Sequence, residues 1–342
     1  MRTERLSGAH VASRPILGLV AMLVLISTLY LMVGPRLIGF DSLLGLANGF
    51  DDGSFDHRVL QTIRMPRLVA ALTTGACLGL SGLLLQGLLR NPLGEPHILG
   101  LNAGATLAVV VATAAPVGLA TDGIATDGIA RPLIAATGGG LLFLATIVFA
   151  SAGKSGMTLL KVTFCGIAFS ALASAVTSAI LILDDDTLDQ VRLWMVGDLA
   201  GARMDTLWAS SWLLVPAVIA ALYVSSCLNA LALGDDVATG LGISVRRVRL
   251  IGIIAAALFC GIAVAIAGPI GFVGLIVPNL VRHFVSDYRL SVPLVALGGA
   301  GLLALADLAA RLVMLPHEIP TGLATAFVGA PVFIILVARA LR

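Results

Sequence analysis

Charge is what this sequence has least of. Only 12% of its 342 residues are Asp, Glu, Lys or Arg, against about 25% in a soluble domain. Lysine is reduced to Lys154 and Lys161. Aromatic residues make up 5% and the arginines are scattered, which excludes a nucleic-acid surface. The four cysteines, Cys77, Cys165, Cys227 and Cys260, sit inside apolar stretches with no C-x-x-C pair. They read as small buried side chains, not as metal or redox groups. His10, His57, His97, His283 and His317 lie far apart, without H-E-x-x-H spacing. No Ser-His-Asp arrangement can be built either, so neither an enzyme nor a resident metal is expected. Nor does the chain bind ATP by itself. Gly153-Lys154-Ser155 imitates the end of a phosphate-binding loop, but the glycine that motif needs earlier is Val148 here, and no strand precedes it.

What remains is oil. Hydrophobic residues make up 58% and mean hydropathy is +1.04, the marks of an all-α polytopic membrane protein with no soluble domain. Residues 1–342 are expected to be one transmembrane domain, with 1–14 as a basic cytoplasmic tail. The apolar stretch after Arg2, Arg5 and Arg14 is long enough to span, and no small-residue cleavage site follows it. It is therefore predicted as a first transmembrane helix, not a signal peptide.

Uncharged runs of spanning length are 15–35, 68–89, 96–121, 132–153, 162–183, 206–234, 250–281 and 319–338, with 290–310 interrupted only by Asp307. One run, 250–281, is too long for one span and too short for two. Its middle holds Gly268-Pro269-Ile270-Gly271-Phe272-Val273-Gly274, where proline removes a donor and glycine weakens the helix. Splitting it there gives helices near 250–267 and 272–284, and ten spans in all. Ten spans place both termini on one side. Thirteen of the 21 Lys and Arg then fall on that side, which is assigned to the cytoplasm.

Three features stand out from the oil. Gly75 and Gly79, and the cluster Gly298, Gly299 and Gly301, have the spacing of close helix packing. Arg64 and Arg67 open the second span around Pro66. They either snorkel at the interface or form an outward socket for a protein partner. Asp307 lies four residues before Arg311 on one helical face and is the deepest ionisable residue expected; such scarcity argues against an ion-driven carrier. A short repeat, TDGIA twice over 121–130, carries no assigned role.

One hydrophilic patch is 233–249, Leu-Gly-Asp-Asp-Val-Ala-Thr-Gly-Leu-Gly-Ile-Ser-Val-Arg-Arg-Val-Arg, flanked by the longest uncharged runs of the chain. Gly240 and Gly242 bracket Leu241, which predicts a tight turn between two short helices. Asp235 and Asp236 suit the start of the first, and three arginines crowd the end. The alternative is a plain basic loop that only sets topology.

Several stretches resemble the permease subunits of bacterial iron–siderophore, haem and cobalamin ABC importers, the FecCD family of type II importers. They are Arg64-Met-Pro-Arg67 with GACLGLSGLLLQ at 75–86, and Arg-Asn-Pro-Leu-Gly-Glu-Pro-His-Ile-Leu-Gly at 90–100. The patch at 232–243 and Ala-Gly-Pro-Ile-Gly-Phe-Val-Gly-Leu-Ile-Val-Pro-Asn-Leu-Val-Arg at 267–282 continue the series. Asp307 with Arg311, Pro320-Thr-Gly and Gly329-Ala-Pro-Val-Phe complete it. Asn279 departs from the pattern, where histidine often follows the proline.

The resemblance implies a type II ABC importer permease bundle of about ten transmembrane helices in the inner membrane. It implies pairing with a second permease copy or a homologous permease, two ATPase subunits that use the ATP, and a periplasmic or lipid-anchored substrate-binding protein. Arg64, Arg67 and Arg311 would pair with carboxylates of that binding protein. Asp235, Asp236, Ala238, Gly240, Leu241, Gly242, Ser244 and Arg246 would form the coupling helices that meet the ATPase. Gly268, Pro269, Gly271 and Gly274 are the expected gating break, and Gln86, Asn91 and Pro92 would line the path or pack. A ferric siderophore is the expected cargo, with haem or cobalamin as alternatives and a secondary carrier as a more distant one.

Overall fold

A computed structural model describes residues 3–34, 36–48, 54–115, 130–152, 158–314 and 317–340. Among them all regular structure is helical. The chain runs through α1 (Thr3–Met32), α2 (Phe40–Asn48), α3 (Phe55–Val59), a π turn (Leu60–Arg64) and α4 (Met65–Leu89). It continues through α5 (Leu101–Ala114), α6 (Ala130–Ala150), α7 (Leu159–Leu183), α8 (Asp185–Met195) and α9 (Met204–Leu231). The last elements are α10 (Asp235–Gly240), α11 (Val245–Ala267), α12 (Val273–Arg282), α13 (Tyr288–Val313) and α14 (Thr321–Ala340). Six helical stretches are long and apolar enough to cross a membrane, and four shorter apolar helices accompany them. Each of the ten expected spans has its helix. The first is longer than its uncharged run, since α1 already begins at Thr3. Gly153-Lys154-Ser155 and most of the TDGIA repeat lie outside the described residues.

Helix α4 is the axis of the bundle. It packs against α13, α11, α12 and α9, and 78% of the apolar window that includes it is buried, against 22% for α7. Small residues make this possible. A Cβ on Gly75 would stand 2.2 Å from the Gly299 carbonyl oxygen, and one on Gly82 2.0 Å from that of Gly274. The backbones of α4, α13 and α12 therefore touch directly, as the glycine spacing predicts. In contrast, α7 and α14 turn Phe164, Ile167, Leu172, Phe327 and Val328 outward.

One element beside the spans was not foreseen. The acidic stretch after α7 is itself a helix, α8. Asp184 caps it by accepting from the Thr187 amide at 3.2 Å and the Thr187 hydroxyl at 2.6 Å. Those donors hold the Asp184 carboxyl below its ordinary range. The break in 250–281 falls where proline and glycine place it, between Ala267 and Val273. Yet it is not loose. Gly268 has φ +73°, and a Cβ there would lie 1.9 Å from the Trp194 carbonyl oxygen. Phe272 also takes a left-handed φ of +70°, uncommon for a bulky residue, with its ring against Gly329 of α14.

Candidate functional site

The twenty-five residues of α4 span about 37 Å at 1.5 Å per residue. Arginines cluster at its first turn, and the hydrophilic patch meets its last. These two ends, and the break between them, carry nearly all of the polar chemistry described.

At the arginine end the organising group is Asp307. It is fully buried and accepts from Arg67 Nε at 3.1 Å, Arg67 Nη2 at 2.9 Å, the Tyr30 hydroxyl at 2.6 Å and the Thr321 hydroxyl at 2.6 Å. Arg311 adds an ion pair at 3.2 Å and lays its guanidinium 3.8 Å from the centre of the Tyr30 ring. Arg67 also reaches Glu318 at 2.6 Å. Arg64 donates to the carbonyls of Leu31 and Arg36.

Arg64, Arg67 and Arg311 are thus 5%, 5% and 3% exposed. Of the two alternatives, snorkelling at the interface is corrected: these side chains turn into the protein. Buried carboxylate and backbone oxygens compensate these cations, because a desolvated guanidinium without partners is too costly. The tips still border space: a cavity of about 480 Å³ is lined by all three, with Arg36, Asp56 and Glu318. Arg311 Nη2 is itself buried and has no hydrogen-bond partner among the described residues.

At the opposite end α10 is a single short helix starting at Asp235. Gly242, at φ +81°, makes the turn out of it, and Gly240 is simply its last residue. The second short helix does not exist separately. Ser244 instead begins the long α11, so Arg246, Arg247 and Arg249 lie in its first turns rather than at a helix end. Cations there oppose the helix dipole. Asp235 offsets this, pairing with Arg249 at 2.9 Å and also with Arg90, which caps α4 in a left-handed conformation. Ala238 is buried and anchors α10. Leu241 is 65% exposed, and Asp236, Ser244 and Arg246 are exposed around it. A short helix with an apolar tip therefore projects from this end.

Between the ends lies a polar group, of which Glu95 and Asn102 had not been singled out in the sequence. Glu95 belongs to a connecting stretch, yet it is buried, 2% exposed, and accepts a hydrogen bond from the Phe272 amide inside the break. Its Oε2 has no hydrogen-bond partner among the described residues. Asn102 donates to the Ile270 carbonyl at 2.9 Å and accepts from the Cys260 thiol at 2.9 Å. Gln86, expected on the path or in packing, is fully buried and donates to the Gly274 carbonyl at 3.0 Å. That carbonyl needs a donor from outside, because its helical partner would be the amide that Pro278 lacks. Asn91 is buried and ties its own loop through Leu93, and the Pro92 carbonyl accepts from Asn279 at 2.8 Å. The asparagine that departs from the family pattern thus has a defined bond. Asp307 is not alone as a buried carboxylate; Glu95 is a second.

Apolar helices of spanning length, with irregular backbone only where protein encloses it, define a multi-pass membrane permease. The FecCD transport family model matches residues 20–339. Similar proteins include the ferric enterobactin transport system permease protein FepD of Escherichia coli, 37% identical over 98% of this chain and 99% of that one. The hemin transport system permease protein HmuU of Yersinia pestis is 38% identical over 81% and 82%. The vitamin B12 import system permease protein BtuC of Vibrio vulnificus is 36% identical over 95% and 93%. A solved inward-facing conformation of a metal-chelate type ABC transporter superposes with a TM-score of 0.75 at 29% identity, covering 96% of this chain and 99% of that chain. The chain belongs to the FecCD transport family and is an ABC importer permease.

Proposed function

We propose that this permease carries a ferric siderophore across the inner membrane, with both termini cytoplasmic. A substrate-binding protein feeds it at the arginine end, and two ATPase subunits drive it at the α10 end. The observation that supports this most is the asymmetry of α4: a cation-lined cavity at its start and a projecting apolar tip beyond its end. The positive lining of that cavity suits a partner's carboxylate, and Leu241 suits an apolar groove on an ATPase. The outward apolar faces of α7 and α14 suit membrane lipid and a second permease copy. Siderophore cargo is favoured by the enterobactin permease, which matches along its whole length. Haem and cobalamin remain alternatives, because permeases named for them match nearly as well. Buried Glu95 lends a secondary carrier one argument, but its carboxylate is engaged on the Phe272 amide and family membership favours an ABC machine.

Deleting the gene and growing cells on defined iron sources tests the cargo: loss of growth on ferric siderophores alone supports it, and loss only on haem replaces it. The drive is tested with Gly242→Trp. An added Cβ at Gly242 meets nothing within 4 Å, so the variant should insert and still bind the external partner. It should lose uptake coupled to ATP hydrolysis, since a side chain strains φ +81° and the turn sets how Leu241 is presented. Normal substrate-stimulated ATPase activity with normal uptake would remove α10 from the drive.

A further inference from the structure

Four hydrogen bonds join one stretch of chain, residues 86–102, to the break and to α12. Gln86 donates to Gly274, the Glu95 carboxylate accepts from Phe272, Asn102 donates to Ile270, and the Pro92 carbonyl accepts from Asn279. Three of these satisfy backbone groups that the irregular segment or Pro278 leaves without a helical partner. The same stretch contains Arg90, which pairs with Asp235 of α10. Asp235 in turn holds Arg249 of α11, the helix that enters the break from its other side. One carboxylate at the α10 end is therefore linked to both flanks of the break: through Arg249 and α11 to Ala267, and through Arg90 and residues 86–102 to α12.

We propose that residues 86–102 are a connecting rod between α10 and the break, and that Arg90, Glu95, Gln86 and Asn102 are positioning residues for transport. This rests on the reading of α10 as the contact for the ATPase and adds the route by which its displacement reaches the bundle. The rod suits that task because it is short and bonded at both ends. Its bonds from Gln86 and Asn102 are buried and that of Glu95 is partly so, where exchange with water softens them little. It also gives the buried Glu95 a role without titration: a fixed acceptor at the N-terminus of α12, where the helix dipole favours negative charge.

The test uses the complete transporter, with its ATPase subunits and binding protein, in vesicles loaded with ATP. The measured quantity is iron-complex taken up per ATP hydrolysed. Arg90→Gly removes the lower bond while keeping the left-handed backbone, which glycine adopts freely. Gln86→Leu and Glu95→Leu remove upper bonds. Each should lower uptake per ATP roughly tenfold, with ATP hydrolysis within about twofold of the parent. Arg90→Lys and Glu95→Gln, which keep the charge or the acceptor, should restore most coupling. Unchanged uptake per ATP in Arg90→Gly and Gln86→Leu would overturn the rod. So would a Glu95→Gln variant as uncoupled as Glu95→Leu, since the acceptor would then not be what matters. If a leucine variant fails to insert, Arg90→Gly against Arg90→Lys decides. Gly242→Trp, assayed alongside, separates the two ideas: if it uncouples while the rod variants do not, the ATPase contact stands and the rod falls.

Discussion

The two ends of α4 solve opposite problems with the same residue types. At its start Arg67, Arg311 and Asp307 are buried and bonded together among α1, α4, α13 and α14, with Arg64 buried beside them on backbone carbonyls. At its finish one aspartate and two arginines are partly exposed, and the helix they steady offers an uncovered leucine. Charge near the first end holds the protein's own helices together. Charge near the second sets the angle of a part made to touch something else. A count of charges cannot tell these uses apart; burial and the number of partners per carboxylate can.

The sharpest way to test this contrast is to delete one carboxylate at each end. Asp307→Ala strands Arg67, Arg311, Tyr30 and Thr321 in a dry site, and should destabilise the protein by about 3–5 kcal/mol. Asp236→Ala, on the exposed face of α10, should change stability by less than about 0.5 kcal/mol. Thermal unfolding in detergent reads both. Equal shifts would mean that the arginine end is not a structural lock.

Next in size are the glycines of the break. Gly268→Ala forces a Cβ to 1.9 Å from the Trp194 carbonyl oxygen at φ +73°, and should be destabilising by about 1–3 kcal/mol. At Gly271 the nearest atom, in the His97 ring, stands 3.5 Å away, so Gly271→Ala should be nearly silent. If Gly271→Ala proves as damaging as Gly268→Ala, the break is a flexible joint and not a fixed shape.

A smaller effect than at Asp307 or Gly268 is expected at Glu318. It is one-third exposed, sits at the cavity and holds Arg67. Glu318→Gln should alter stability by about 0–1 kcal/mol and strengthen docking of an acidic partner by up to about fivefold. Titration of the binding protein at low and high salt measures it. Unchanged or weaker docking would show that the cavity is not where the partner's carboxylate arrives.

Much of this architecture was legible in the chain. Lipid tolerates few charges, so uncharged runs marked the helices, and a proline beside glycines marked where one of them breaks. Asp235 announced the start of α10 for the same electrostatic reason that Asp184 caps α8, although α8 itself was passed over as an acidic stretch. What stayed hidden depended on distant partners. The burial of Arg67 is decided by Asp307, 240 positions later. Glu95 looks like an ordinary loop acid until the loop is seen packed against Phe272. The left-handed Phe272 had no local signal either, since glycines on both sides offered themselves for that conformation.

The bond between Tyr30 and Asp307 bears on how the chain is born. Its two ends are 277 residues apart. At about 5–20 residues per second, Tyr30 waits roughly 14–55 s for its acceptor to emerge. Through that interval α1 lacks α13, its main neighbour, and has chiefly α4 and the turn before it to lean on. Arg67, whose acceptor is equally late, can reach toward the headgroups on its flexible stem. Snorkelling, mistaken for the mature protein, fits the nascent one. Arrival of α13 then draws the guanidinium inward, and closing the socket becomes one of the last acts of assembly.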